Sequence, residues 1–150
     1  FMCLLLFGFG WAKPVMINSR NFKNQRRDDA IVSLAGPAAN FITAFLFMLF
    51  IKLTDMFMPY SMLRQVIFEV LISTVYINLV LMVFNLLPIP PLDGHHILGS
   101  IGGAKVWNFY YKYYDHLRFL MLLLIVFRGI GRIIDPVINI LYNLLFSIFF

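Results

Sequence analysis

The twelve residues "NLLPIPPLDGHH", Asn85 to His96, hold most of the chemistry this sequence offers. Asn85 can donate and accept hydrogen bonds. The Asp93 carboxylate could hold a hard cation or zinc, relay a proton, or pair with a lysine or arginine in a structural bridge or turn. The residues alone leave those three roles open. His95 and His96 follow directly, but adjacent side chains usually point in different directions. Asp93, His95 and His96 therefore make a poor set for one metal ion, and the imidazoles read as interfacial or hydrogen-bonding groups. Pro88, Pro90 and Pro91 lack amide donors and push their predecessors out of helical geometry, so the chain from Leu87 to Asp93 is expected to be extended. Gly94 is expected to permit a sharp turn after the acid.

The elements that must position these groups are apolar. Of the 150 residues 61% are hydrophobic and 13% charged, against about 45–50% and about 25% in soluble domains. A single soluble core could not bury that excess, so lipid must cover part of it. The chain reads as an integral, multi-pass membrane protein with one transmembrane domain over residues 1–150. Ala30 to Ile51 carries no charge and would reach about 33 Å as helix, enough for the roughly 30 Å hydrocarbon layer. Val66 to Leu87 is a second span, with Glu69 near its start. The hydrophobic region from about 117 to 150 is interrupted by Gly129, Gly131 and Pro136; one span plus a terminal interfacial or re-entrant helix is expected. Without strict alternation the runs do not suit a barrel. The expected fold is all-α, a polytopic membrane helix bundle with a non-helical proline-rich stretch carrying Asp93.

Loop charge orients the bundle. Trp11 to Asp29 holds Lys13, Arg20, Lys23, Arg26 and Arg27, whereas Lys52 to Gln65 holds two basic residues. The positive-inside bias places the first loop, and after two crossings the Asp93 end of the second span, at the cytoplasm. The net charge of +5 thus reads as membrane orientation, with the lipid bilayer as partner and no nucleic acid. The lone Cys3 reads as structural. Non-helical backbone near membrane depth requires a protein cover or a wet cavity, which makes Asp93 a functional candidate. Ser33, Gly36, Asn40 and Thr43 make a small, polar face on the first span, which Pro37 should kink. Asn40 could bond a partner helix or a substrate. Thr74, Asn78 and Asn85 share a stripe on the second span, and Asn78 reads as one half of an interhelical pair. The aromatics and lysines of Ile101 to His116 suit the membrane interface.

"NLLPIPPLDG", Asn85 to Gly94, resembles the N-x-x-P-x-P-P-L-D-G signature of the site-2 protease family of intramembrane zinc metalloproteases, peptidase family M50, in its small bacterial-type form. Phe7 to Asp28 and "AGPAAN", Ala35 to Asn40, are similar to two further segments of that family. The resemblance implies Asp93 as a zinc ligand and Asn85 as a catalytic or substrate contact near the scissile carbonyl. It also implies transmembrane protein substrates and a bacterial inner membrane location. Position 95 is commonly glycine there, and His95 departs from that. The family's H-E-x-x-H helix, source of two ligands and the general base, does not occur: the histidines are 95, 96 and 116, and the one glutamate is Glu69. The opening "FMCLLLFGFGW" reads as the tail of a hydrophobic segment. The expectation is therefore the carboxyl-terminal part of a protease, inactive in isolation and partnered by an upstream H-E-x-x-H segment. The alternative is a non-catalytic membrane module, a pseudoprotease or a transporter component.

Overall fold

The computed structural model describes residues 22–127 and 129–150, and within them every regular element is a helix. Cys3 and most of the stretch 7–28 lie outside the described residues. Four helices follow in order: α1 (Gln25–Phe57), α2 (Met62–Asn85), α3 (Asp93–Val126) and α4 (Gly129–Phe149).

Helix α1 starts where Asn24 caps it, its side chain accepting from the Arg27 amide, while Asp28 accepts from the amides of Lys23 and Asn24. These bonds satisfy donors that the first helical turn would otherwise leave open. The helix runs unbroken through the buried Pro37 for 33 residues, about 50 Å at 1.5 Å per residue. A tight connection leads to α2, capped by Ser61. Arg64 fastens this connection by donating to the Met58 carbonyl at 3.0 Å and to the Asp55 carboxylate.

The core is a continuous apolar seam. Ala44, Met48 and Ile51 of α1 meet Val75, Leu79 and Val83 of α2, and Ile134, Ile138 and Leu145 of α4 close over them. Large apolar side chains elsewhere face outward; Met62, Ile101 and Val126 are each more than 70% exposed. Outward grease at that density needs lipid rather than water around it. By length and composition α1, α2 and α4 are apolar enough to cross a membrane.

Two expectations change. Gly129, Gly131 and Pro136 do not interrupt the tail: all three lie inside α4, and the break falls just before it. The apolar C-terminal helix is accordingly 21 residues long, enough by length and composition for a span rather than the expected interfacial or re-entrant helix. The other change is in α3, where residues 117–126 do not open a separate span but end a helix begun at Asp93. That helix is broken once, at Gly103, whose φ of +68° no side-chain-bearing residue adopts cheaply.

Candidate active site

The proline stretch is non-helical, as expected, but it is not extended. The free amides of Leu87, Ile89 and Leu92 donate to the carbonyls of Phe84, Leu87 and Ile89, at 3.1, 2.8 and 3.0 Å. Three short turns thus curl residues 86–92 into a compact loop, and the peptide between Pro90 and Pro91 is cis. The amides the prolines leave free are spaced closely enough to bond backward within the loop, which a periodicity argument does not reveal.

Three contacts clamp this loop. First, Gly94 is helical and buried beneath it: a Cβ there would overlap the carbonyl oxygens of Leu86 and Leu87. Glycine is required for close approach, not for the sharp turn its position suggested. Second, the Leu92 carbonyl accepts from the His95 amide at 3.2 Å and is also bonded by the His95 ring Nδ1. Third, the buried Tyr110 hydroxyl donates to the Pro88 carbonyl at 3.1 Å. Asp93, between the first two clamps, opens α3 as its first residue.

Asp93 is half-buried, and its Oδ2 lies 3.4 Å from where a Cβ on Gly36 would stand. The small face of α1 is therefore what accommodates the acid. Burial pushes the Asp93 carboxyl above the ordinary carboxylate range, with His96 pulling the other way. Asn85 is the last residue of α2, and the carbonyls just after it are those that seal over Gly94, so Asn85 and Asp93 flank one closed contact. Asn40 lies one turn beyond Gly36 on α1, half-buried.

The histidines take structural positions. His95 is 5% exposed, and its ring packs among Trp107, Tyr110 and Tyr114 at centroid distances of 6.3, 5.5 and 6.4 Å. Burial lowers its pKa below the usual imidazole value. His96 instead contacts Asp29 on α1 at 3.1 Å, and Ser100 donates to the same carboxylate at 3.2 Å. Three contacts, Gly36 with Asp93, Asp29 with His96 and Ser100, and Arg26 beside Gly103, run in opposite senses along α1 and α3. The two segments are thus antiparallel neighbours, with an open cleft of about 470 Å³ near Arg26 and Trp107 at one end.

Sequence reasoning placed Gly36 on the small face of α1 without linking it to Asp93, and missed Asp29, Ser100 and Tyr110. Asp29, in "RRDDA", looks like an ordinary first-turn acid, and nothing in a 22-residue separation links Tyr110 to Pro88. Asn78, read as half of an interhelical pair, donates to the Thr74 carbonyl of its own helix at 2.8 Å. Among the described residues, no three histidine, cysteine or acidic side chains come together as a metal cluster.

The loop and the helices around it coincide with a family match: residues 51–126 fit the model of peptidase family M50, half of the chain and all of the Asn85–Asp93 loop. The chain belongs to peptidase family M50. This M50 chain is similar to YwhC of Bacillus subtilis, 41% identical over 103 residues, which are 65% of this chain and 46% of that protein. It is also similar to MJ0611 of Methanocaldococcus jannaschii, 33% identical over 98 residues, 65% of this chain and 48% of the other. Both relatives are provisionally named zinc metalloproteases. The M50 chain spans about half the length of these relatives. No solved structure matches it significantly. Family membership and three apolar helices make it a membrane protein.

Proposed function

We propose that these residues form the carboxyl-terminal part of an intramembrane zinc metalloendopeptidase that cuts transmembrane proteins near the cytoplasmic face of a bacterial inner membrane. The observation that carries this reading is the placement of Asp93. Its carboxylate opens a helix, half-buried against Gly36, on a loop clamped at Pro88, Leu92 and Gly94. A backbone position held that firmly, with its carboxylate not tied up in a hydrogen bond among the described residues, suits metal ligation, which needs its ligand positioned before the ion arrives.

The described residues fit zinc as the source of one ligand. Asp93 would hold it, while His95 is committed to the aromatic cage and His96 to Asp29. The remaining ligands and the general base would come from an upstream H-E-x-x-H helix of the same protein, so these 150 residues by themselves are expected to be inactive. Zinc supplies, when bound, a Lewis acid and an activated water for attack on a peptide carbonyl. The residues of this chain then do the rest. Asn85, beside the clamp, would donate its amide to the scissile carbonyl and to the charge that develops there. Asn40 would contact substrate along α1. The curled loop keeps non-helical backbone at the membrane edge with its amides bonded internally, so that a strand of unwound substrate can lie against it.

The test uses the full-length protein. Asp93→Ala should insert normally, lose bound zinc and cut no membrane-anchored reporter; full activity in that variant would refute the assignment. Basic residues in Trp11 to Asp29, five against two in Lys52 to Gln65 across the first span, support the cytoplasmic placement. Cysteine labelling at Lys23 and at Tyr60 from either side of the membrane would check it.

A further inference from the structure

We propose that the cleft between the start of α1 and the bend of α3 binds the phosphate headgroup of an anionic phospholipid such as phosphatidylglycerol, a role that requires neither zinc nor proteolysis. Glycines build the cleft. At Gly103 the left-handed backbone breaks α3, and the residues after it fold back over those before it. Trp107 comes to His96 at a ring-centroid distance of 5.6 Å, and Tyr110 to His95 at 5.5 Å. A Cβ on Gly99 would stand 2.7 Å from the Trp107 indole, so the ring needs bare backbone there. The Arg26 guanidinium reaches the bend itself, 3.4 Å from where a Cβ on Gly103 would stand. Gln25 and Arg26 of α1, with Trp107, Asn108 and Tyr111 of α3, line an open space of about 470 Å³.

Charge decides the kind of ligand. Asp29, the one acid of the lining, is engaged by His96 at 3.1 Å and by Ser100 at 3.2 Å. Asp28, the other acid at this end of α1, already accepts from the amides of Lys23 and Asn24. Arg26 is exposed and bonds no carboxylate or carbonyl among the described residues. Its guanidinium is therefore a free fork of donors, the geometry that matches a phosphate. The Gln25 and Asn108 amides and the Trp107 indole N–H add neutral donors around it. Lys23, Arg27 and Lys105 lie close in sequence to the two walls and make the local field positive.

Depth decides the source of the phosphate. The uncharged span opens at Ala30, four residues after Arg26, which is about 6 Å along the helix. The polar layer outside the hydrocarbon is about 5–7 Å thick on each side, so the guanidinium stands at the level of lipid phosphates. Trp107 and Tyr111 suit that same layer. Ile101 and Phe109, on either side of the bend, are 78% and 51% exposed, and acyl chains would cover them. Basic pockets between membrane helices are known to hold anionic headgroups in this way.

The experiment titrates dioleoylphosphatidylglycerol or dioleoylphosphatidylcholine into the full-length protein in detergent and reads bound lipid by native mass spectrometry. Phosphatidylglycerol should bind about tenfold more tightly than phosphatidylcholine. Arg26→Gln should weaken phosphatidylglycerol binding about tenfold, the loss expected for a charge-assisted bond to phosphate. Arg27→Gln removes an equal charge from the same turn, outside the cleft lining, and should weaken it less than about twofold. Both positions are exposed, and unchanged melting of the lipid-free variants would confirm that they fold. Equal losses in the two variants would mean a diffuse basic surface and overturn the site, as would full binding by Arg26→Gln. Inorganic phosphate should bind far more weakly than the lipid; if it bound as tightly and depended on Arg26, a soluble phosphate would be the ligand and the lipid assignment would fall.

Discussion

Replacing Gly94 by alanine adds one methyl group where the structure has no room. A Cβ built on Gly94 comes to 2.5 Å from the Leu86 carbonyl carbon, with the oxygens of Leu86 and Leu87 nearer still, whereas ordinary contact begins at 3.4 Å. All three atoms are backbone, so no side-chain rotation relieves the overlap, and the loop must part from α3 by about 1 Å. Overpacking of this kind costs about 1–3 kcal/mol. The cost to chemistry should be larger, because Asp93 is the adjacent residue and a 1 Å misplacement of a catalytic group can cost about 10²-fold in rate. In the full-length protein, Gly94→Ala should therefore melt a few degrees lower in detergent, bind zinc more weakly and cut a membrane-anchored reporter about a hundredfold more slowly. Gly36→Ala is the control. Its Cβ would meet Asp93 Oδ2 at 3.4 Å, an ordinary contact, and alanine is the better helix former by about 0.5–1 kcal/mol. It should be as stable as the parent or more so, with zinc retained. If Gly94→Ala kept normal melting, zinc and cleavage, the clamped-loop account of Asp93 would be wrong.

Other outcomes follow from the same contacts. Asn85→Ala should leave zinc bound while lowering turnover roughly 10²–10³-fold, the range for losing one oxyanion donor; loss of zinc would make its role structural. Asp29→Ala removes the acceptor shared by His96 and Ser100 and should destabilise by on the order of 1 kcal/mol, given partial exposure of the pair. Thermal melting would measure it, and Asp29→Asn, which keeps an acceptor oxygen, should recover part of the loss. Tyr110→Phe deletes the bond to the Pro88 carbonyl and should cost about 1 kcal/mol, accompanied by faster amide exchange at Ile89 and Leu92.

Much of the architecture was legible without coordinates because lipid imposes simple rules. Apolar runs of 22 residues, the first uncharged and the second with Glu69 alone, mark α1 and α2, whose ends at 25–57 and 62–85 contain or nearly match the stretches 30–51 and 66–87. The C-terminal region misled for a physical reason. Gly129 and Gly131 fall in the first turn of α4, where glycine flexibility is tolerated, and Pro136, its eighth residue, sits inside the helix, as membrane helices tolerate where neighbouring groups satisfy the freed carbonyl. The proline loop was correctly placed yet wrongly shaped, since whether freed amides bond backward or outward is a three-dimensional matter.

Composition and the order of residues by themselves determined a membrane-embedded helical protein, a break after Asn85 and a lone acid at Asp93, because hydrocarbon solvation and the proline ring act on each segment independently of its neighbours. Only the tertiary structure decided that Gly36 makes room for that acid, that Asp29 engages His96, and that Tyr110 reaches back to Pro88. Those choices depend on which helix faces meet, and the packing of distant segments leaves no local trace in the chain.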